Sequence, residues 1–281
     1  MKITSQISRK KLFALTTGIL VSFASAGINI SPAQATNNLT FIGLKPNNTL
    51  VRFQLDRSSR SGVKLLGNVI VKGLDGNLQG IDFRPANNVL YGVTDTDKIY
   101  TIDPKTGVAK LANLLTPSFD GGFQSGFDFN PVLDRLRLVG SNDQNFSVNV
   151  DTGAATAQTT LAYVAGDRNF GKDPNLTAAA YTNNRAGATS TQLYDIDYDL
   201  DVLVLQDPPN GTLTTVGSLG VNFAPIGGMD IVTDASGRNS AFAISGSSLY
   251  RINLNKGNAN KLGTINLGFV GLAVTSQPLL P

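Results

Sequence analysis

GFDFNPVLDRLRLVGSNDQNFSVNVDTGAATAQTTL, residues 126–161, is one complete unit of a repeat. It opens on a Gly-x-Asp strand, Gly126-Phe127-Asp128-Phe129, and continues through Arg135–Gly140. Phe146–Asp151 then runs into a turn at Gly153, and Ala155–Leu161 completes the unit. Apolar and polar residues alternate over runs of four to seven, the pattern of strands with one buried face. Four such strands joined by short turns make an antiparallel sheet of the kind that forms a propeller blade.

The unit recurs on both sides. Turn glycines Gly62, Gly107 and Gly257 follow Leu50–Asp56, Ile99–Asp103 and Leu249–Asn255, and Pro208-Pro209-Asn210-Gly211 fills the same place after Val202–Gln206. Successive turn glycines lie 45, 46, 58 and 46 residues apart. Further opening strands are Gly80-Ile81-Asp82-Phe83, Ala178-Ala179-Ala180-Tyr181 and Gly228-Met229-Asp230-Ile231. A period in this range marks small β-units that cannot bury their faces alone. Residues 39–67 supply three strands but no opening strand, whereas the C-terminus supplies an opening strand alone, Gly271-Leu272-Ala273-Val274. Pairing the two predicts an all-β, five-bladed propeller closed by the last strand, which leaves no blade incomplete. A six-bladed ring, an open β-sandwich and a solenoid are the rivals; a solenoid needs polar caps, and here each end reads as a fragment of a blade.

The first 35 residues read as a secretory signal peptide. Lys2, Arg9, Lys10 and Lys11 precede an apolar Leu12–Ala24 and the small-residue cleavage site Ala33-Gln34-Ala35. The expected mature domain is 36–281, exported to the periplasm or beyond, with a retained N-terminal anchor as the alternative. Without the leader's four cations the chain has 19 basic and 20 acidic residues, so a nucleic-acid or anionic-membrane partner loses its support. No later segment is long and apolar enough to span a bilayer.

His, Cys, Trp and Glu are absent, and all 20 acidic residues are Asp. The gap removes the usual serine triad, imidazole bases, thiolate nucleophiles and typical zinc sites. Abundant Gly, Asn, Asp and Thr with no Glu favours strands and turns over helices.

The stretches 126–131, 134–140 and 149–153, together with Ala179-Ala180-Tyr181-Thr182-Asn183-Asn184 and 203–210, resemble a bacterial exported family, domain of unknown function 4394. The resemblance spans about residues 39–274. It implies an exported, propeller-like protein and carries no activity with it.

Candidate sites follow from the repeat. Asp82, Asp128 and Asp230 share one slot of three opening strands, with Ala180 and Ala273 in the other two. Three carboxylates meeting near a channel mouth would suit a hard cation such as Ca²⁺, the one cofactor considered. Alternatively, each accepts hydrogen bonds from backbone amides. Asp195, Asp197, Asp199 and Asp201 alternate like part of a calcium loop but lack its Gly and terminal Glu, so a strand and a bend is the alternative. Arg135 and Arg137, with Asn142 and Asn145 near them, could recognise a carboxylate, phosphate or sugar, or else tie blades together. The longer step before the fourth blade comes from Val164–Asn175, a Gly/Asp/Asn loop carrying Asp167 and Arg168, which is either a binding insertion or a solvated loop. Tyr181, Asn183 and Asn184 follow it and offer an aromatic and two amides. The sequons at Asn38, Asn47, Asn145, Asn175 and Asn210 carry little weight behind a bacterial-type leader. The expected function is a monomeric, non-catalytic binding or scaffold propeller for an unknown small molecule, glycan or protein. An Asp-dependent carbohydrate hydrolase and a purely structural envelope protein are the alternatives.

Overall fold

The computed structural model describes residues 39–279; the signal-peptide reading of residues 1–35 and the sequon at Asn38 lie outside them. Five antiparallel sheets form a five-bladed β-propeller, as the repeat predicts. Blade 1 contains β1 (Thr40–Leu44), β2 (Thr49–Leu55) and β3 (Val63–Ile70). Blade 2 contains β4 (Leu78–Arg84), β5 (Val89–Thr94), β6 (Lys98–Ile102) and β7 (Ala109–Leu114). Blade 3 is β8 (Ser125–Asn130), β9 (Arg135–Gly140), β10 (Asn145–Val148) and β11 (Ala155–Ala157). Blade 4 runs from β13 (Leu176–Tyr181) through β14 (Leu193–Asp197) and β15 (Val202–Asp207) to β16 (Thr212–Ser218). A short β12 (Ala162–Tyr163) pairs parallel with β16, so this blade has a fifth, outer strand. Blade 5 is β17 (Gly227–Thr233), β18 (Asn239–Ser245), β19 (Ser248–Ile252) and β20 (Ala259–Thr264). Among the described residues there is no helix long and apolar enough to cross a membrane.

The last strand, β21 (Gly271–Thr275), closes the ring. It pairs antiparallel with β1, from Thr40 opposite Thr275 to Leu44 opposite Gly271, and becomes the inner strand of blade 1. Inner strands β21, β4, β8, β13 and β17 then neighbour one another around the axis. Their small residues allow this: a Cβ on Gly80 would collide with Phe127, one on Gly126 with Ala179, and one on Gly228 with the backbone of Gly271 and Leu272. The space they enclose is about 10 Å³, at most one water molecule, so this end of the axis is shut.

The core is distributed as slabs between blades. Phe41, Phe53, Phe242 and Phe269 fill the joint between blades 5 and 1, with the Phe41 and Phe53 rings stacked at 5.2 Å. Tyr91, Phe119, Phe127, Phe129 and Phe146 fill the joint between blades 2 and 3. The joint between blades 3 and 4 is different, with small and aliphatic residues, Tyr163 and Tyr181, and no Phe.

The turn glycines owe their identity to these joints. Gly62, Gly107, Gly153, Gly211 and Gly257 all have φ between 66° and 83°, where a side chain is strained. Each also abuts a backbone carbonyl of the preceding blade or its exit: Leu262, Ile70, Leu114, Thr159 and Gly217 respectively. Gly153→Ala therefore meets both penalties and should cost about 1–3 kcal/mol for the backbone alone, with the collision added. Gly166→Ala, at φ 90° in open space, meets only the first. Thermal unfolding should show a larger drop in Tm for Gly153→Ala; equal drops would show that the blade-to-blade contact contributes nothing.

Candidate functional site

Two clusters of polar side chains are buried. The first lies on the axis. Asp82, Asp128 and Asp230 project from β4, β8 and β17, at most 1% exposed, with one carboxylate oxygen from each within 4.8 Å of the others. An inner strand has an edge that no further strand covers, and its N–H groups need acceptors. Asp82 accepts from its own neighbour Phe83 N (2.7 Å) and from Phe129 N of the next blade (2.9 Å). Asp128 Oδ1 accepts from Tyr181 N of blade 4 (3.1 Å). Asp230 Oδ2 accepts from Val274 N of blade 1 (2.5 Å), and the Ile231 amide also bonds this carboxylate. Asn184 Nδ2 reaches Asp230 Oδ1 at 3.5 Å. Where the preceding blade carries Ala273 or Ala180, the amide of Phe83 or Ile231 is served by its own blade's Asp. The three carboxylates thus serve five amides, and Asp128 Oδ2 is left with no partner.

This arrangement corrects the expected position of the trio. The carboxylates do meet, but in the closed interior, where no sugar can reach an acid–base pair. Calcium takes six to eight oxygens, whereas the trio brings six, five of which already accept hydrogen bonds, leaving Asp128 Oδ2 alone free. The donor set therefore does not fit a resident Ca²⁺, and a proton is the more economical way to relieve the charge. Burial, and then the neighbouring carboxylates, push Asp82 and Asp128 well above the usual range; burial raises Asp230 to about 7.

The second cluster lies in the joint between blades 3 and 4. Register defines equivalent positions around the ring. Arg137, opposite Asp128, occupies the place held by Ile42, Tyr91, Tyr194 and Phe242 in the other blades. Asn145, opposite Val139, replaces Leu50, Ile99, Leu203 and Leu249. From blade 4, Gln206 stands where Phe53, Ile102, Val148 and Ile252 stand, and Asp195 where Gly43, Gly92, Leu138 and Ala243 stand. All four face the same joint and are at most 3% exposed. Giving up an apolar side chain at such a place forfeits roughly 1.5–3 kcal/mol of burial.

Arg137 organises the cluster. Its Nε donates to Tyr181 Oη at 3.2 Å, and its Nη1 to Asn145 Oδ1 at 2.5 Å and Gln158 Oε1 at 2.6 Å. Asn145 Nδ2 donates to the Thr159 and Pro208 carbonyls, and Gln206 Nε2 to Asn145 Oδ1. Gln206 Oε1 and both oxygens of Asp195 have no partner among the described residues. Burial raises Asp195, and the Arg137 charge opposes that rise. Arg137, Tyr181 and Gln206 form the wall of a cleft of about 410 Å³, rimmed by Leu133, Asp207 and Pro209.

The remaining predicted residues lie elsewhere. Arg135 opens β9, and Asn142 is exposed in the β9–β10 hairpin. The insertion is pinned along the outside of blade 4, where Asp167 accepts from Thr215 N and Oγ1 (both 2.7 Å), and Arg168 is exposed. Its Asp173 bonds Asp143, which burial and that neighbour push up to about 6. Asn183 ties the β13–β14 loop to blade 5, its N–H donating to Asn239 at 2.8 Å. Asp197 accepts from Asp199 N, Leu200 N and Tyr163 Oη, and Asp201 Oδ1 accepts from Phe223 N: the alternating aspartates form a strand end and bend. Sequence reasoning missed Gln206 and Gln158, which stand out only once the blades are aligned in register.

A folded pKa raised above the unfolded value means the native state holds extra protons, so stability falls as pH rises from about 4 through 7. Tm should be higher at pH 5 than at pH 8. Asp128→Asn keeps the acceptor for Tyr181 N and turns the unpartnered oxygen into a donor, so it should raise Tm at pH 8 and flatten the slope. Asp82→Asn, by contrast, sets its new amide against a strand N–H and should destabilise. A pH-independent Tm, or a Tm at pH 8 that rises with added Ca²⁺, would refute the account in which protons relieve the buried charge.

Comparisons with known proteins are silent on activity. No curated protein matches the sequence. The solved nidogen/laminin complex contains a chain similar at 12% identity, covering 85% of this chain and 100% of that one, with a TM-score of 0.49. A protein of unknown function from Bacteroides thetaiotaomicron VPI-5482 is similar at 16% identity over 83% of this chain and 63% of its own, TM-score 0.48. One from Bacteroides caccae, also of unknown function, is similar at 10% identity over 79% and 72%, TM-score 0.42. A family model covers residues 49–273, and the chain belongs to the family described as Domain of unknown function (DUF4394).

Proposed function

We propose that this is an exported, non-catalytic binding propeller that takes a small ligand in the cleft between blades 3 and 4. One observation carries the reading: four polar residues in places that are apolar or small around the ring converge on a single joint, behind a cleft of ligand size. A joint needed only for stability would be packed as the other four are. Export is supported by the N-terminal cationic and apolar segments of the sequence. The axial aspartates are committed to strand amides, which supports a structural role for them.

Restoring the repeat tests this without knowing the ligand. The combined variant Arg137→Tyr, Asn145→Leu, Asp195→Ala and Gln206→Ile carries residues that other blades hold at those places. Replacing a buried polar cluster by apolar groups of similar volume is commonly neutral or stabilising, by about 1–4 kcal/mol. The variant should unfold at or above the wild-type Tm. A large drop would make the cluster a latch between blades and would defeat the binding reading.

A further inference from the structure

We propose that the ligand of the cleft is a sugar bearing a single carboxylate, a uronic acid, with the carboxylate on Arg137. This rests on the cleft being the binding site.

The two buried arginines of the propeller make the contrast. Arg84, at the end of β4, is saturated: Nε and Nη2 bond the two oxygens of Asp134 at 2.8 and 2.6 Å, and Nη1 and Nη2 those of Asp151 at 2.7 Å each. This latch between blades 2 and 3 leaves nothing for a ligand. Arg137 has no carboxylate within salt-bridge distance among the described residues. Its Nε and Nη1 bond neutral acceptors that fix the plane of the guanidinium, and its Nη2 makes no hydrogen bond among the described residues. A guanidinium held this way on a cleft wall presents a preoriented donor edge to an oxyanion.

The rest of the lining selects among oxyanions. Among the described residues Arg137 is the only cation lining the cleft and Asp207 stands at its rim, so a dianionic phosphate meets one positive and one negative charge. A monocarboxylate meets the guanidinium with less repulsion. Side-chain amides of Asn130, Gln158, Gln192 and Gln206 line the cleft and supply polar groups for ring hydroxyls. Leu133, largely exposed, and Pro209 offer apolar surface for the C–H face of a sugar ring.

Isothermal titration of the purified protein with D-galacturonate and D-glucuronate, alongside D-galactose, D-glucose and inorganic phosphate, tests the inference. At least one uronate should bind, with its neutral counterpart and phosphate at least tenfold weaker. Arg137→Gln should lose tenfold or more. Because that variant removes a buried network, Gln206→Glu provides a second test: it places a carboxylate beside Arg137 and should abolish uronate binding while the circular-dichroism spectrum stays native. Asp207→Asn should tighten binding. Equal affinity for acid and neutral sugars, unchanged in Arg137→Gln but lost in Leu133→Asp, would overturn the carboxylate and leave the cleft standing. Uronate binding unchanged in both Arg137→Gln and Gln206→Glu would overturn the cleft as well. No response to any of the sugars overturns the inference but not the binding reading, which falls if the repeat-restored variant loses stability or if uronate binds away from the cleft.

Discussion

A ring of blades ends, at its centre, in five strand edges that no further strand can cover. Each edge presents N–H groups to a space too narrow for water to serve them all, and buried donors without acceptors are costly. Three aspartates answer this demand. Asp82, Asp128 and Asp230 each accept from the inner strand of the following blade, and two of them also serve an amide of their own strand. Closing the ring through β21 depends on the same chemistry, because Val274, the acceptor's partner at the seam, lies on the closing strand itself. The seam between the chain's two ends is thereby held on the axis by Asp230 and at the side by the Phe41–Phe53 and Phe41–Phe242 pairs.

The solution concentrates negative charge. Three carboxylates in a dry centre serve five amides at the expense of mutual repulsion, and the leftover oxygen of Asp128 shows where the demand ran out. Each aspartate reaches only the amide of its own strand and that of the following blade, so two would leave at least one of the five unserved, and a fourth would add charge with few donors left to meet it. Ala180 and Ala273 stand where the remaining two would be, and small residues there keep the axis closed.

Much of this was legible in the sequence. The turn glycines gave the period because the same two constraints, a positive φ and a carbonyl from the blade before, act at every joint. The missing opening strand at one end and the surplus one at the other predicted closure. The Gly-x-Asp slot predicted that three carboxylates would meet, and amide acceptance was one of the two roles foreseen for them. Their depth was not legible, since how tightly five inner strands converge depends on Gly80, Gly126 and Gly228 packing against neighbours distant in sequence. Arg137, Asn145 and Tyr181 were visible as ligand-binding types. That Gln206 joins them was not, because β15 and β9 belong to different blades and only the register makes a glutamine conspicuous among Phe53, Ile102, Val148 and Ile252. The place of the insertion was not legible either, because Asp167 is fixed along blade 4 by Thr215 of β16, a strand distant in sequence.

A repeat protein offers an internal control that a unique fold lacks. Every joint between blades faces the same geometric problem, so the residues at four joints show what packing alone selects. At the fifth the same places hold a cation, two amides and a carboxylate, all buried. The loss of apolar contact at the Arg137, Asn145 and Gln206 places, roughly 1.5–3 kcal/mol each, is not recovered by the hydrogen bonds present, since Gln206 Oε1 and the buried Asp195 have none. A stability argument therefore does not account for this joint, and the proposed ligand cleft, with a preoriented guanidinium on its wall, is the reading offered in its place.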